Sequence, residues 1–171
     1  MEIRFLTPGD SDAYWRVRLE ALERSPEAFS SSVEEHRALG MDEVRRRLGD
    51  GDLFVAGAVE EGRIVGTAGF YRDKGPKLRH KGRVWGVYVS EDRRGLGLGR
   101  QMLQKVLERA SALAGLEQVL LSVATTQTAA IRLYRSLGFE SFGCEPRALK
   151  VGDRTIDEEY MIFRINRPDP L

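Results

Sequence analysis

The stretch Val87-Tyr88-Val89-Ser90-Glu91-Asp92-Arg93-Arg94-Gly95-Leu96-Gly97-Leu98-Gly99-Arg100 has the residue types and spacing most suited to chemistry. Three alternate glycines flanked by arginines stand between an apolar strand pattern and a helical one. Glycine lets backbone approach a ligand closely and take positive φ. The first N–H groups of a helix lack internal partners and lie at the positive end of its dipole. A phosphate placed there meets several donors at once, and Arg94 and Arg100 add charge. The plain alternative is that Gly95 and Gly97 only shape a tight strand-to-helix turn. Elimination narrows the ligand: a P-loop needs G-x-x-x-x-G-K-[ST], and no Gly-Lys-Ser or Gly-Lys-Thr occurs. A dinucleotide fingerprint begun at Gly95 reaches Arg100 at its last position and fails.

Periodicity predicts the elements that hold this loop. Glu2–Leu6 alternates as a first strand, and Asp10 or Ser11 caps a helix to about Arg24 with Tyr14, Val17, Ala21 and Leu22 at helical spacing. Ser25–Ser32 breaks that helix, and a shorter one follows at Met41–Leu48. Leu53–Val59 and Arg63–Tyr71 read as a hairpin, followed by a polar, basic loop at Asp73–Lys81 and a strand at Val84–Val89. Leu98, Met102, Leu103, Val106, Leu107 and Ala110 mark an amphipathic helix to about Leu113. An apolar strand at Gln118–Ala124 precedes a helix at Thr128–Leu137 that Gly138 stops. Phe139–Leu149 and Ile156–Ile165 close the chain as strands. The order β-α-α-β-β-β-α-β-α-β-β combines hairpins with crossovers and predicts a mixed sheet covered by helices.

The 171 residues fit a single domain spanning 1–171, with Asn166–Leu171 expected as a frayed end. Twenty-seven Lys+Arg against 26 Asp+Glu argue against an electrostatic nucleic-acid binder. No run approaches the ~20 apolar residues of a membrane span, and the N-terminus lacks a signal-peptide pattern, so a cytoplasmic protein is expected. One cysteine and two histidines do not suffice for a Cys/His metal site, and no metal is expected. Cys144 is expected to be a buried small hydrophobe rather than a nucleophile.

Arg94-Gly95-Leu96-Gly97-Leu98-Gly99 matches [Q/R]-x-x-G-x-[G/A], and Gln127-Thr128-Ala129-Ala130-Ile131-Arg132-Leu133-Tyr134-Arg135-Ser136-Leu137-Gly138-Phe139 is similar to N-x-x-A-x-x-L-Y-x-x-x-G-F. In these motifs and in element order the chain resembles the GNAT superfamily of acyl-CoA-dependent N-acetyltransferases over nearly its whole length. The resemblance implies an α/β (α+β) fold. Its sheet is mixed, mostly antiparallel and six- to seven-stranded, flanked by about four helices, with a bulged fourth strand splayed from the fifth. It implies acetyl-CoA as cosubstrate, with Val87, Tyr88 and Val89 beside the pantetheine arm. The pyrophosphate would lie on the amides of Arg94, Gly95, Leu96, Gly97, Leu98, Gly99 and Arg100. Gln127 stands where the family has a cofactor-contacting Asn, and whether the longer amide keeps that contact stays open. Tyr134 matches the tyrosine that acts as general acid toward the departing thiolate; on local spacing alone it reads as a core tyrosine.

The implied reaction is direct attack of a primary amine on the thioester, which requires a proton acceptor. The family's carboxylate near the start of the fourth strand has no counterpart in Lys81-Gly82-Arg83-Val84-Trp85. Glu34, Glu35, His80 and water are the candidates. The acceptor, whether small amine, amino acid or protein amine, is not specified, and a homodimer through the C-terminal strands is left open. A non-catalytic acyl-CoA-binding module of the same fold is the alternative.

Overall fold

In the computed structural model, which describes residues 1–165, one sheet contains all seven strands. These are β1 (Glu2–Phe5), β2 (Leu53–Glu60), β3 (Arg63–Arg72), β4 (Lys81–Val89), β5 (Gln118–Ala124), β6 (Glu140–Val151) and β7 (Arg154–Arg164). Their order is β1-β2-β3-β4-β5-β7-β6, with every neighbouring pair antiparallel except β4 and β5. The helices are α1 (Ser11–Arg24), α2 (Val33–Leu39), α3 (Met41–Leu48), α4 (Leu98–Ser111) and α5 (Thr128–Ser136). The expected frayed end at 166–171 lies outside the described residues.

The central strands are buried because helices cover both faces. On one face, Val65, Ala68 and Phe70 of β3 pack with Met102, Leu103 and Val106 of α4. On the other, Val55, Ile64 and Tyr88 meet Tyr14, Val17 and Ala21 of α1 and Val44 and Leu48 of α3. This is the helix–sheet–helix layering that the alternation of hairpins and crossovers calls for.

Three details go beyond the sequence reading. Helix α2 adds a turn of structure where a loop was expected. Its start is a capping box: Ser32 Oγ accepts from the Glu35 N–H at 3.1 Å, and the Glu35 carboxylate accepts from the Ser32 N–H at 2.7 Å. Strand β4 begins at Lys81, three residues earlier than expected. Cys144 is exposed rather than buried, because β6 is the last strand of the sheet and most of Glu140–Arg147 faces solvent.

Strand β4 carries the irregularities that matter most. Against β3, Thr67 pairs with Tyr88 and Gly69 with Trp85, so Gly86 and Val87 together oppose Ala68. This is a β-bulge, and Gly86 takes the positive φ of 61° that it requires. Strands β4 and β5 pair only at Lys81↔Gln118, Gly82↔Val119 and Arg83↔Leu120. From Val84 onward they diverge, and the gap opens toward the ends from which α4 and α5 start.

Candidate functional site

The loop after β4 delivers unpaired backbone donors to the mouth of that gap. Gly97 is the N-cap of α4 with φ 74° and ψ 9°, a left-handed conformation natural to glycine. The first helical bond is Gln101 N–H to the Gly97 carbonyl at 3.1 Å. Between Gly95 and Arg100 no backbone N–H has an acceptor among the described residues. Arg94 is fixed by its Nε bond to the Val89 carbonyl at 3.1 Å, and Arg100 Nη2 donates to Ser136 Oγ of α5 at 2.6 Å. A row of free amides, flanked by two held guanidiniums at a helix start, suits a pyrophosphate. Among the described residues no three His, Cys, Asp or Glu are grouped to hold a metal ion. No helix there is long and apolar enough to cross a membrane.

The flanking strand residues divide between the two faces. Val87 and Val89 pack half-buried against the α4 side. Tyr88 points to the α1 side, where its hydroxyl donates to the Glu20 carboxylate at 3.1 Å. Burial and that carboxylate push Tyr88 up to about 12. Any contact between Tyr88 and a ligand in the gap is therefore through its backbone.

Helix α5 closes the other side of the gap. Gln127, half-buried at its N-cap, makes no side-chain hydrogen bond among the described residues. Tyr134 is 6% exposed and stacks edge-on against Phe139 at 5.9 Å. Its hydroxyl has no hydrogen-bond partner among the described residues, and burial raises its pKa, so it is a protonated phenol at neutral pH. A tyrosine held for stability usually ties its hydroxyl down; this one does not.

The three candidate proton acceptors lie apart. Glu34 is exposed, and Glu35 is engaged in the α2 capping box. The His80 carbonyl accepts from the N–H groups of Glu117 and Gln118, placing His80 beyond the closed end of the gap. At a strand's rise it is about 10 Å past Arg83.

Two residues outside the sequence motifs, Glu158 and Arg18, stand out by their burial. Glu158 of β7 lies in register with Ala124 at the open end of β5. Burial raises its pKa, the one Asp or Glu so shifted among the described residues. Its signal was an acidic position in the alternating run Ile156, Glu158, Tyr160, Ile162. On the α1 face a cavity of about 220 Å³ lies against Trp85 of β4, and Arg18 lines it. A Cβ at Gly86 would stand 3.7 Å from Arg18 Nη1, so this cavity adjoins the bulge. Arg18 was visible as a charge inside the apolar stripe Tyr14, Val17, Ala21, Leu22.

Comparisons with known proteins agree with this geometry. The chain is 37% identical over 106 residues to the L-methionine sulfoximine/L-methionine sulfone acetyltransferase of Pseudomonas paraeruginosa, covering 61% of this chain and 60% of that protein. It is 30% identical over 141 residues to the N-alpha-acetyltransferase RimI of Mycobacterium tuberculosis, covering 79% of this chain and 85% of the relative. The structure of yncA from Salmonella typhimurium with its cofactor acetyl-CoA superposes with a TM-score of 0.81 at 25% identity, over 100% of this chain and 97% of that one. The chain thus spans about 60% of the length of the sulfoximine acetyltransferase it matches. Residues 16–139 match the sequence model of the acetyltransferase (GNAT) family, and with the splayed β4–β5 pair and the row of free amides in place, the protein belongs to that family.

Proposed function

We propose that the protein is an N-acetyltransferase that moves the acetyl group of acetyl-CoA to a primary amine. The observation that carries this reading is the row of unpaired amides from Gly95 to Arg100 at the mouth of the β4–β5 gap. These amides, with Arg94 and Arg100, hold the pyrophosphate. The bulged backbone of Val87–Val89 holds the pantetheine arm, and the free Gln127 side chain is within reach of the same ligand. Bound acetyl-CoA supplies an activated thioester carbonyl.

In the transfer a C–N bond forms and the C–S bond breaks; the amine loses a proton and the thiolate gains one. A CoA thiolate is moderately basic, near the ~8.5 of a free thiol. A phenol that burial keeps protonated, with no competing acceptor, is a suitable donor, and Tyr134 fills that role. Glu158, half-buried and with its proton affinity raised by burial, takes the amine proton directly or through water. Its environment suits the task better than those of Glu34, Glu35 or His80.

The test is thiol release from acetyl-CoA against a panel of amines, amino acids and short peptides, with a no-acceptor control. Acceptor-dependent release supports the transferase. No release across the panel, with CoA still raising the melting temperature, would favour a non-catalytic CoA-binding module, as the lack of a carboxylate at Lys81–Trp85 allows. A homodimer through the β6–β7 hairpin, where Phe142 is 57% exposed, belongs to the same proposal, and sedimentation tests it.

A further inference from the structure

Three residues that line the cavity on the α1 face, Arg18, His36 and Trp85, each have a buried polar atom without a partner among the described residues. Nη1 of Arg18 and Nε2 of His36 are both inaccessible and unbonded, and both residues line the cavity. Arg18 is 6% exposed. Its guanidinium makes no hydrogen bond or ion pair among the described residues; it rests on the ring of Phe29 at 4.7 Å and of Trp85 at 5.7 Å. A cation taken out of water without an anion is costly, and aromatic faces recover only part of that cost. Glu35 is at the rim, but its carboxylate is committed to the Ser32 N–H. Arg47, paired with Glu43 at 2.8 Å, and Ser31 and Tyr14 also line it, and Leu39, Val44, Leu48, Leu53 and Val55 supply an apolar wall.

His36 supplies a group of opposite sense. Burial and the nearby Arg18 lower its pKa to about 4, and its ring bonds to the Trp15 backbone, leaving Nε2 as a bare acceptor. The cavity therefore offers a cation, a hydrogen-bond acceptor and an apolar wall, directly beside the bulge at Gly86.

We infer that this cavity is the acceptor subsite and that Arg18 binds the carboxylate of an α-amino acid with an apolar side chain. The inference rests on the acetyltransferase reading above and narrows its substrate class. In an α-amino acid, amine and carboxylate share one carbon, with the nitrogen about 2.5 Å from the carboxylate carbon. A carboxylate on Arg18 therefore sets the amine at the bulge, where β4 leaves β5, while the side chain extends toward Leu39, Val44 and Leu48. An amine far from its carboxylate, as at the end of a lysine side chain, does not meet both requirements.

The experiment compares L-leucine, L-methionine and L-phenylalanine with their α-amides as acceptors in the acetyl-CoA thiol-release assay. Each amide keeps the amine and the side chain and lacks only the carboxylate. A charge-assisted bond to a desolvated guanidinium predicts that at least one acid exceeds its amide in kcat/KM by about 10- to 100-fold. Arg18→Gln should bring that ratio close to one while leaving the KM for acetyl-CoA unchanged. Trp15, stacked on His36 at 4.3 Å, and Trp85 in the cavity wall give a second readout: fluorescence titration with CoA present, in which acids bind and amides do not.

If an acid binds without thiol release, the subsite stands and the transferase reading falls. If amides turn over as well as acids, the subsite falls and the transferase stands. If no acid is bound or used in preference to its amide, the inference is overturned. Should Arg18→Gln fail to fold, the comparison of acids with amides on the unmodified protein decides alone.

Discussion

Thr67 Oγ1 donates a 2.9 Å hydrogen bond to the Gly86 carbonyl across the point where β4 uses one residue more than β3. The bulge removes that carbonyl from the regular ladder, and the buried threonine hydroxyl, on a residue 3% exposed, restores its partner. Replacing Thr67 with Val keeps the shape and orphans the carbonyl, at a cost of about 1–3 kcal/mol. A domain of this size loses roughly 2–4 °C in Tm per kcal/mol. Thermal melts should show a drop of several degrees, together with a raised KM for acetyl-CoA.

Tyr134→Phe separates catalysis from stability. Because the hydroxyl has no partner within the fold, its removal should leave Tm within about a degree and CoA affinity unchanged. Loss of a general acid lowers kcat by about 10²- to 10⁴-fold. Calorimetric CoA titration alongside steady-state kinetics checks both halves, and a large fall in Tm would mark the tyrosine as structural.

Stability should fall on acidification in two windows. His36 has its folded pKa lowered from an ordinary 6.5 to about 4 by burial and by Arg18. The unfolded chain therefore takes up a proton in a range where the folded one does not. Stability is complete above about pH 6.5 and is lost as pH falls toward 4, by up to about 3 kcal/mol. Asp10, held well below the usual carboxylate range by its bond to Arg4 at 2.6 Å, adds a further loss below its ordinary value of 3.8. His36→Phe should flatten the melting curve between pH 6.5 and 4 and leave the lower window in place.

Arg18→Met should stabilise the protein. Burial lowers the pKa of this guanidinium, with desolvation the leading cause, which means that folding disfavours its charge. An apolar side chain of similar length fills the space without that cost, and buried charges replaced in this way yield about 1–4 kcal/mol. A rise in Tm of a few degrees, with loss of the preference for acids over amides, is the expected result. A lowered Tm would show that Phe29 and Trp85 need the cation as a structural partner.

The parts of the candidate site that the sequence makes legible are those encoded locally. The glycine spacing after β4 and the 3.6-residue pattern of α4 lie within one stretch of chain, as do Gln127 and Tyr134 at the start and end of α5. The bulge was less legible, because Trp85-Gly86-Val87 satisfies a strand pattern; the lone glycine was its sign. Helix α2 has only Val33, Ala38 and Leu39 as apolar residues, too few for a periodicity, although Ser32 and Glu35 carried the capping signature. Arg18 was visible as a misplaced charge, but its meaning depends on Phe29, His36 and Trp85, which only the tertiary fold brings together. Cys144 was misjudged because pairing order, and hence which strand ends the sheet, is not a local property.

The three register pairs between Lys81–Arg83 and Gln118–Leu120, with the bonds from Glu117 and Gln118 to the His80 carbonyl, form a short backbone seam between two leaves, β1–β4 and β5–β7. Within each leaf the ladders are antiparallel and longer. Breathing of the sheet therefore concentrates along the seam, where parting breaks the fewest bonds. A molecule that hydrogen-bonds β4 on one leaf and the start of α5 on the other acts as a clasp between them. Amide exchange on the inner edges of both leaves is then coupled to occupancy.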